Sequence, residues 1–172
     1  MARIRIEGER ITLRPLLLDE LDAMVASRRL NAVAEQDREK LRARIERSGL
    51  LENGRLDLAM DVDGARIGEI QTYVPSDRAL PSDVYEIGIA IEDPSLRGRG
   101  YGSEAVRLLV DWLFDRERAA RVHLATRESN AAMRAVAERL GFAAGGLVND
   151  HGVEYILYAL TRDVWLMRRR SR

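Results

Sequence analysis

The stretch Leu96-Arg97-Gly98-Arg99-Gly100-Tyr101-Gly102-Ser103-Glu104-Ala105 holds the residues best suited to chemistry. Arg97, Gly100 and Gly102 follow the spacing R-x-x-G-x-G, after a strand-like apolar run and before a helix-like one. Such a loop turns several backbone N–H groups toward one anion, at the positive end of a helix dipole. Glycine permits the close approach and unusual dihedrals that a cradle needs. The ligand class is phosphate or pyrophosphate. A tight strand-to-helix turn with no ligand is the alternative that the loop alone leaves open.

Glu86 is the second candidate. Alternation along Val84 to Ile91 puts Tyr85, Ile87, Ile89 and Ile91 on one face and Glu86 with the small Gly88 and Ala90 on the other. A carboxylate in an apolar strand costs free energy unless it is paired or used. Glu86 is therefore either an ion-pair partner for an arginine or a working base. Ser129 and Asn130 come third. Both residue types cap helices, and a helical pattern follows them.

The elements that must position these residues can be read from periodicity. Arg10 to Pro15 alternates and stops at proline, which predicts a first strand. Asp19 is placed to cap a helix carrying Leu21, Met24 and Val25. A second helix is predicted from about Glu35 to Ser48, stopped by Gly49. Residues 55–74 read as a hairpin about Asp63-Gly64, and 75–81 as a loop. The helix after the glycine loop puts Ala105, Leu108, Leu109, Trp112 and Leu113 on one face. Arg121 to Thr126 is a strand. The next helix turns Met133, Val136, Ala137 and Leu140 inward and ends at Gly141. Two closing strands flank a turn at 149–152. The unit from 84 to 126 is β-α-β, so its strands are expected to be parallel. The fold class is mixed α/β (α+β): one domain over residues 1–172, with a central mixed sheet of about seven strands and about four flanking helices.

Composition excludes several function classes. A chain of 172 residues is about one domain. Net charge is zero, which argues against a nucleic-acid partner. Lys40 is the only lysine among 28 basic residues, and the basic tail 168–172 reads as a solvated, frayed end. No stretch has the apolar length of a membrane span, and the N-terminus lacks a signal-peptide core. With no cysteine, the expected location is the cytoplasm. Two distant histidines, His123 and His151, and no cysteine give no metal site.

Four anchors together resemble the GNAT superfamily of acyl-CoA-dependent N-acyltransferases. They are Glu86-Ile87-Gly88-Ile89 followed by the run from Asp93 through Ala105 as one, Asn130-Ala131-Ala132-Met133 with Leu140-Gly141-Phe142 as the second, and the outer pieces 10–15 and 158–165 as the third and fourth. The outer pieces are similar to the Rim-type branch, which includes the N-terminal acetyltransferases of ribosomal proteins. The resemblance implies acetyl-CoA as co-substrate, with its pyrophosphate on Arg97, Gly98, Arg99, Gly100, Tyr101 and Gly102 and with Ser103 opening the helix. It implies that the pantetheine arm runs along Ile89, Ala90 and Ile91, and that Asn130 touches the coenzyme. Glu86 would then be the base that takes the amine proton.

One position departs from the family pattern. Many members carry a tyrosine four residues before the Gly-Phe pair, as an acid for the leaving thiolate; here that residue is Ala137. Rim-like members commonly lack it, and Ser129 is the substitute the resemblance offers, with Tyr158 and Tyr101 as further hydroxyls. The expected reaction is direct attack of a primary amine on acetyl-CoA in a ternary complex, since no cysteine can carry the acetyl group. A protein N-terminal α-amine is the favoured acceptor. A small-molecule amine and a catalytically silent acyl-CoA-binding module are the alternatives. The resemblance also admits a homodimer.

Overall fold

A computed structural model of the protein describes residues 2–30, 38–75 and 78–171. Eight strands form one sheet: β1 (Ile6–Glu7), β2 (Thr12–Arg14), β3 (Leu56–Val62), β4 (Ala65–Tyr73), β5 (Val84–Ile91), β6 (Arg121–Thr126), β7 (Ala143–Asp150) and β8 (Val153–Thr161). Their spatial order is β1-β2-β3-β4-β5-β6-β8-β7. Every neighbouring pair is antiparallel except β5–β6, which the β-α-β unit makes parallel as predicted. The α-helices are α1 (Leu21–Leu30), α2 (Arg38–Arg47), α3 (Tyr101–Asp115), α4 (Ala131–Leu140) and α5 (Arg162–Arg170).

Three expectations need correction. The sheet has eight strands rather than about seven, because the two-residue β1 is too short to show a period. Asp19 does not cap a helix; it lies inside a 3-10 turn, where the Glu20 carboxylate accepts from Leu17 N–H at 2.8 Å. The tail is not frayed through 168–170, which belong to α5, a fifth α-helix. Trp165 anchors that helix: its ring stacks on Phe114 at 5.0 Å, and its Nε1 donates to Asp111 at 2.7 Å. Arg169 pairs with Asp115 at 2.6 Å. The expected start of the second helix at Glu35 lies outside the described residues.

Helices cover both faces of the sheet. In β3, Leu58 and Met60 join the core beneath α3, while Ala59 between them joins Leu21, Met24, Leu41 and Ile45 of α1 and α2. That is the period-two alternation of a strand covered on both faces. The buried face of α3 runs through Ala105, Leu109 and Leu113, which are 0% exposed, and it seats the start of the helix against β5.

The pairing at the middle of the sheet matters most for function. β5 stays in register with β4 without a bulge, from Tyr73↔Glu86 to Gly68↔Ile91. Its pairing with β6 stops at Ile87↔Leu124, although β6 runs on beside β8 to Thr126. The two parallel strands part there. The second half of β5 is left with one side of its backbone outside the ladder.

Candidate active site

The parting of β5 and β6 opens a cleft of about 800 Å³ between β5, the glycine loop and α4. Ile89, Ala90, Ile91, Arg97, Gly98, Gly100, Gly102, Ser103, Ser129 and Asn130 line it. Ten of the residues singled out from sequence therefore share one cavity. The side chains of Arg99 and Tyr101 turn elsewhere. Arg99 Nε donates to the Ser95 carbonyl at 3.1 Å, and Tyr101 lies under the Arg10 guanidinium, 5.3 Å from its ring centre. Their main chain still belongs to the loop.

The loop has the geometry of an anion cradle. Gly98 and Gly100 have φ of +73° and +87°, in the left-handed region that glycine enters without a Cβ penalty. Arg97 fastens the strand end to the loop by donating from Nε and Nη2 to the Ile91 carbonyl, at 3.1 and 2.9 Å. At the start of α3, the N–H groups of Tyr101, Gly102 and Ser103 precede the first intrahelical bond, Glu104 N to Gly100 O. Gly102 has no positive φ, and a Cβ there would meet only Ile89 and Ile91 methyls at 3.7 Å, ordinary contact. The fold itself does not require glycine at 102. The space in front of it belongs to the cleft.

Glu104, part of the glycine-loop motif in sequence, braces this loop. Its carboxylate, 6% exposed, accepts from Arg10 N at 2.9 Å and from Arg10 Nε at 3.0 Å, and Arg10 Nη1 donates to Arg99 O at 2.9 Å. Burial works against its charge. The backbone N–H groups of Arg10, Ile11 and Glu9 and the Arg10 side chain outweigh that and hold the carboxyl below its ordinary value. An acid in the first turn of a helix was the available signal.

Glu86 is 1% exposed and forms part of the wall of a second, smaller cavity of about 280 Å³, with Tyr73, Pro75, Arg78, Ala125, Asp150 and Tyr155. Both of its oxygens are engaged. Oε1 accepts from the Tyr73 hydroxyl at 2.5 Å, and Oε2 accepts from Arg78 Nη2. The ion-pair alternative for Glu86 is thus present, and it sits at a cavity. Burial, then the bond to Glu86, pushes the Tyr73 phenol far above its ordinary value, so it remains a donor. His123 stands opposite Glu86 in register. Burial lowers its pKa, Glu86 opposes the shift, and Nδ1 is buried without a partner. Neither Tyr73 nor Arg78 carries a sequence motif; only pairing and loop closure bring them to Glu86.

Asn130 caps α4, its Oδ1 accepting from Met133 N at 3.1 Å. Ser129 is therefore not the cap, and it borders the cleft. Ala137 is fully buried in the core. Neither the Tyr158 nor the Tyr101 side chain lines the cleft. Among the described residues no group of His, Cys, Asp or Glu could hold a metal ion, and no helix is long and apolar enough to cross a membrane.

Comparison with known proteins bears on this arrangement. The N-acetyltransferase 9-like protein of Caenorhabditis briggsae is 33% identical over 79 residues, covering 44% of this chain. The chain's match spans only 40% of that relative's length. The aminoglycoside acetyltransferase AAC(6')-Ib, solved with coenzyme A, matches with a TM-score of 0.75 at 20% identity, over 92% of this chain and 99% of that one. The GNAT-family acetyltransferase from Bacillus anthracis matches with a TM-score of 0.71 at 17% identity, over 93% and 99% of the two chains. These two likenesses establish the fold. The family model of the acetyltransferase (GNAT) domain matches residues 10–143, more than half of the sequence. The chain belongs to the acetyltransferase (GNAT) domain family.

Proposed function

We propose that the chain is an acetyl-CoA-dependent N-acetyltransferase whose acceptor is a primary amine, with a peptide α-amine as the preferred class. The observation that carries this reading is the cleft itself. A parted pair of parallel strands leads into a left-handed glycine loop whose Gly102 the fold does not need. Gly98, Gly100, Gly102 and Ser103 would hold the pyrophosphate, and the unpaired side of Ile89 to Ile91 would take the pantetheine arm as an added strand. When bound, the coenzyme supplies a thioester activated for acyl transfer.

The chain's own residues would then act in order. Backbone N–H groups near Ile89 polarise the thioester carbonyl. The cleft holds the acceptor nitrogen close to that carbon, which supplies much of the rate. Glu86, set in place by Tyr73 and Arg78, receives the amine proton. Ser129, a hydroxyl at the cleft, would return a proton to the thiolate.

Two features favour an α-amine. The cavity at Glu86, about 280 Å³, falls just below the ~300–1,000 Å³ of pockets that enclose a drug-sized ligand, so it suits the end of a chain. Glu86 is also doubly engaged. An α-amine titrates near 8 and a lysine near 10.4, so the α-amine needs less help from a base. The outer segments 10–15 and 158–165 support a Rim-type assignment in the same direction. A second reading, a small cationic amine, draws on the carboxylates of Glu86 and Asp150 in that cavity and on AAC(6')-Ib as a neighbour in fold. The test is thioester turnover across peptides, aminoglycosides and polyamines. Fastest turnover on peptide α-amines supports the reading. Exclusive turnover on the others moves it to the second. Coenzyme A binding without transfer to any amine leaves a silent binding module.

A further inference from the structure

A carboxyl that takes the amine proton once per turnover must also lose it. Glu86 is 1% exposed, with Oε1 bonded by Tyr73 and Oε2 by Arg78, and the cavity on its open side is the place of the acceptor itself. The neighbouring strand supplies an outlet. His123 of β6 pairs with Glu86 in register, one step before that ladder ends. Paired residues on adjacent strands share a face, and the strands lie about 4.8 Å apart. Nδ1 of His123 is buried, and among the described residues no group bonds it. Buried polar atoms are ordinarily bonded. Here a bare nitrogen stands beside a carboxylate whose own bonds go elsewhere. Beyond His123 the row continues through Ala159 of β8 to Ala143 of β7. Both are small, His123 is partly exposed and Ala143 is exposed, so the ring has room to turn from Glu86 toward solvent.

We propose that His123 carries the amine proton from Glu86 to water. The proposal rests on Glu86 as the base and adds the step that resets it. The N–H bond of the attacking amine breaks, its electron pair stays on nitrogen, and an O–H bond forms on Glu86. Each Glu86 oxygen keeps a lone pair for this beside its bond to Tyr73 or Arg78. That O–H bond then breaks toward Nδ1, whose lone pair forms the N–H bond of an imidazolium, and Glu86 is a carboxylate again. The imidazolium gives the proton to water and is neutral for the next turnover. The charges around the ring fit the task. Arg78 favours the carboxylate over the carboxyl, so Glu86 releases the proton. Burial keeps the ring neutral and able to accept, with lesser help from Arg121 and Arg78, and the restored Glu86 charge steadies the imidazolium while it lasts. On the flanking strands, β4 faces Glu86 with Tyr73, a donor, and β8 faces His123 with the uncharged Ala159.

The test follows kcat for acetylation of a peptide α-amine across pH in the wild type, Glu86→Gln, His123→Gln and His123→Ala. His123→Gln lowers kcat about 10-fold at neutral pH, less than the ~10²–10⁴ of a group that meets the substrate, because water then takes the proton from Glu86 directly. The loss narrows as pH rises, and peptide KM and coenzyme A Kd stay as in the wild type. Added imidazole restores kcat to His123→Ala and does nothing for Glu86→Gln; a residue that only packs is not replaced by a free base. A wild-type pH profile in His123→Gln beside an impaired Glu86→Gln, or no response of His123→Ala to imidazole, overturns the relay alone. A wild-type profile in Glu86→Gln overturns the Glu86 assignment and the relay with it. Ring nitrogen NMR signals of the wild type keep the proposal testable if the His123 variants do not fold, since His123 and His151 are the only histidines. Nδ1 of His123 without a proton at neutral pH supports the relay, and Nδ1 protonated there overturns it.

Discussion

Gly102→Leu, with Gly102→Ala as its control, separates a loop built for a ligand from one that only turns the chain. The backbone at 102 is ordinary helix, and a Cβ there would sit 3.7 Å from the Ile89 and Ile91 methyls. Alanine therefore fits without a clash and gains helix propensity of up to about 1 kcal/mol. For a chain of this size that raises Tm by about 2–4 °C. Leucine projects further, into the cleft in front of the loop. A pyrophosphate displaced by it loses at least one charge-assisted hydrogen bond, about 1.5–3 kcal/mol, which is a loss of affinity of about 10- to 150-fold. The assay is calorimetric titration of coenzyme A, with a thermal melt of each variant. Gly102→Leu that stays folded and binds coenzyme A as tightly as the wild type refutes the cradle. A melt that collapses already in Gly102→Ala refutes the claim that the fold does not need this glycine.

Other outcomes follow from the same geometry. Glu86→Gln should lower kcat/KM by about 10², most strongly at low pH where deprotonation of the amine limits, and leave coenzyme A affinity intact; a pH–rate profile like the wild type's removes Glu86 as the base. Asn130→Ala loses the cap bond to Met133, about 1 kcal/mol, which calorimetry should report as a lower Tm; Ser129→Ala should leave Tm alone and reduce kcat, and an unchanged kcat removes Ser129 as acid. Stability should also depend on pH with a known sign. Glu104 is held below its ordinary 4.5, so its contribution is present above that value and is lost as pH falls through the folded one. His123 is held below 6.5, and its contribution likewise fades as pH falls from 6.5 through the folded value. Urea midpoints of Glu104→Gln and His123→Gln should show weaker dependence in those two windows, and curves parallel to the wild type's would contradict the assignment.

Much of the donor side was legible in the sequence because it is local. The strand 84–91, the glycines and the helix after them are consecutive, and period and spacing are enough to place them. Even the face of Glu86 followed from parity, since β5 carries no bulge. What surrounds Glu86 was not legible. Tyr73 comes from the neighbouring strand and Arg78 from the loop that follows it, and register and loop closure leave no periodic trace. Arg10 and Glu104 are 94 residues apart, and each reads alone as a surface charge. The arginine tail misled for a related reason. The run 168–170 is exposed, as a charged run suggests, but it is helical rather than frayed because Trp165 holds its helix against Phe114.

Acetyl transfer to a single peptide tests the central claim most directly. The chain is given acetyl-CoA and a peptide with a free α-amine, and thiol release is followed together with the mass of the peptide; the same peptide with its α-amine blocked is the control. The account predicts equal amounts of thiol and α-acetylated peptide, and neither with the blocked peptide. Coenzyme A binding without acetylation of this peptide or of any amine in the wider panel would contradict it.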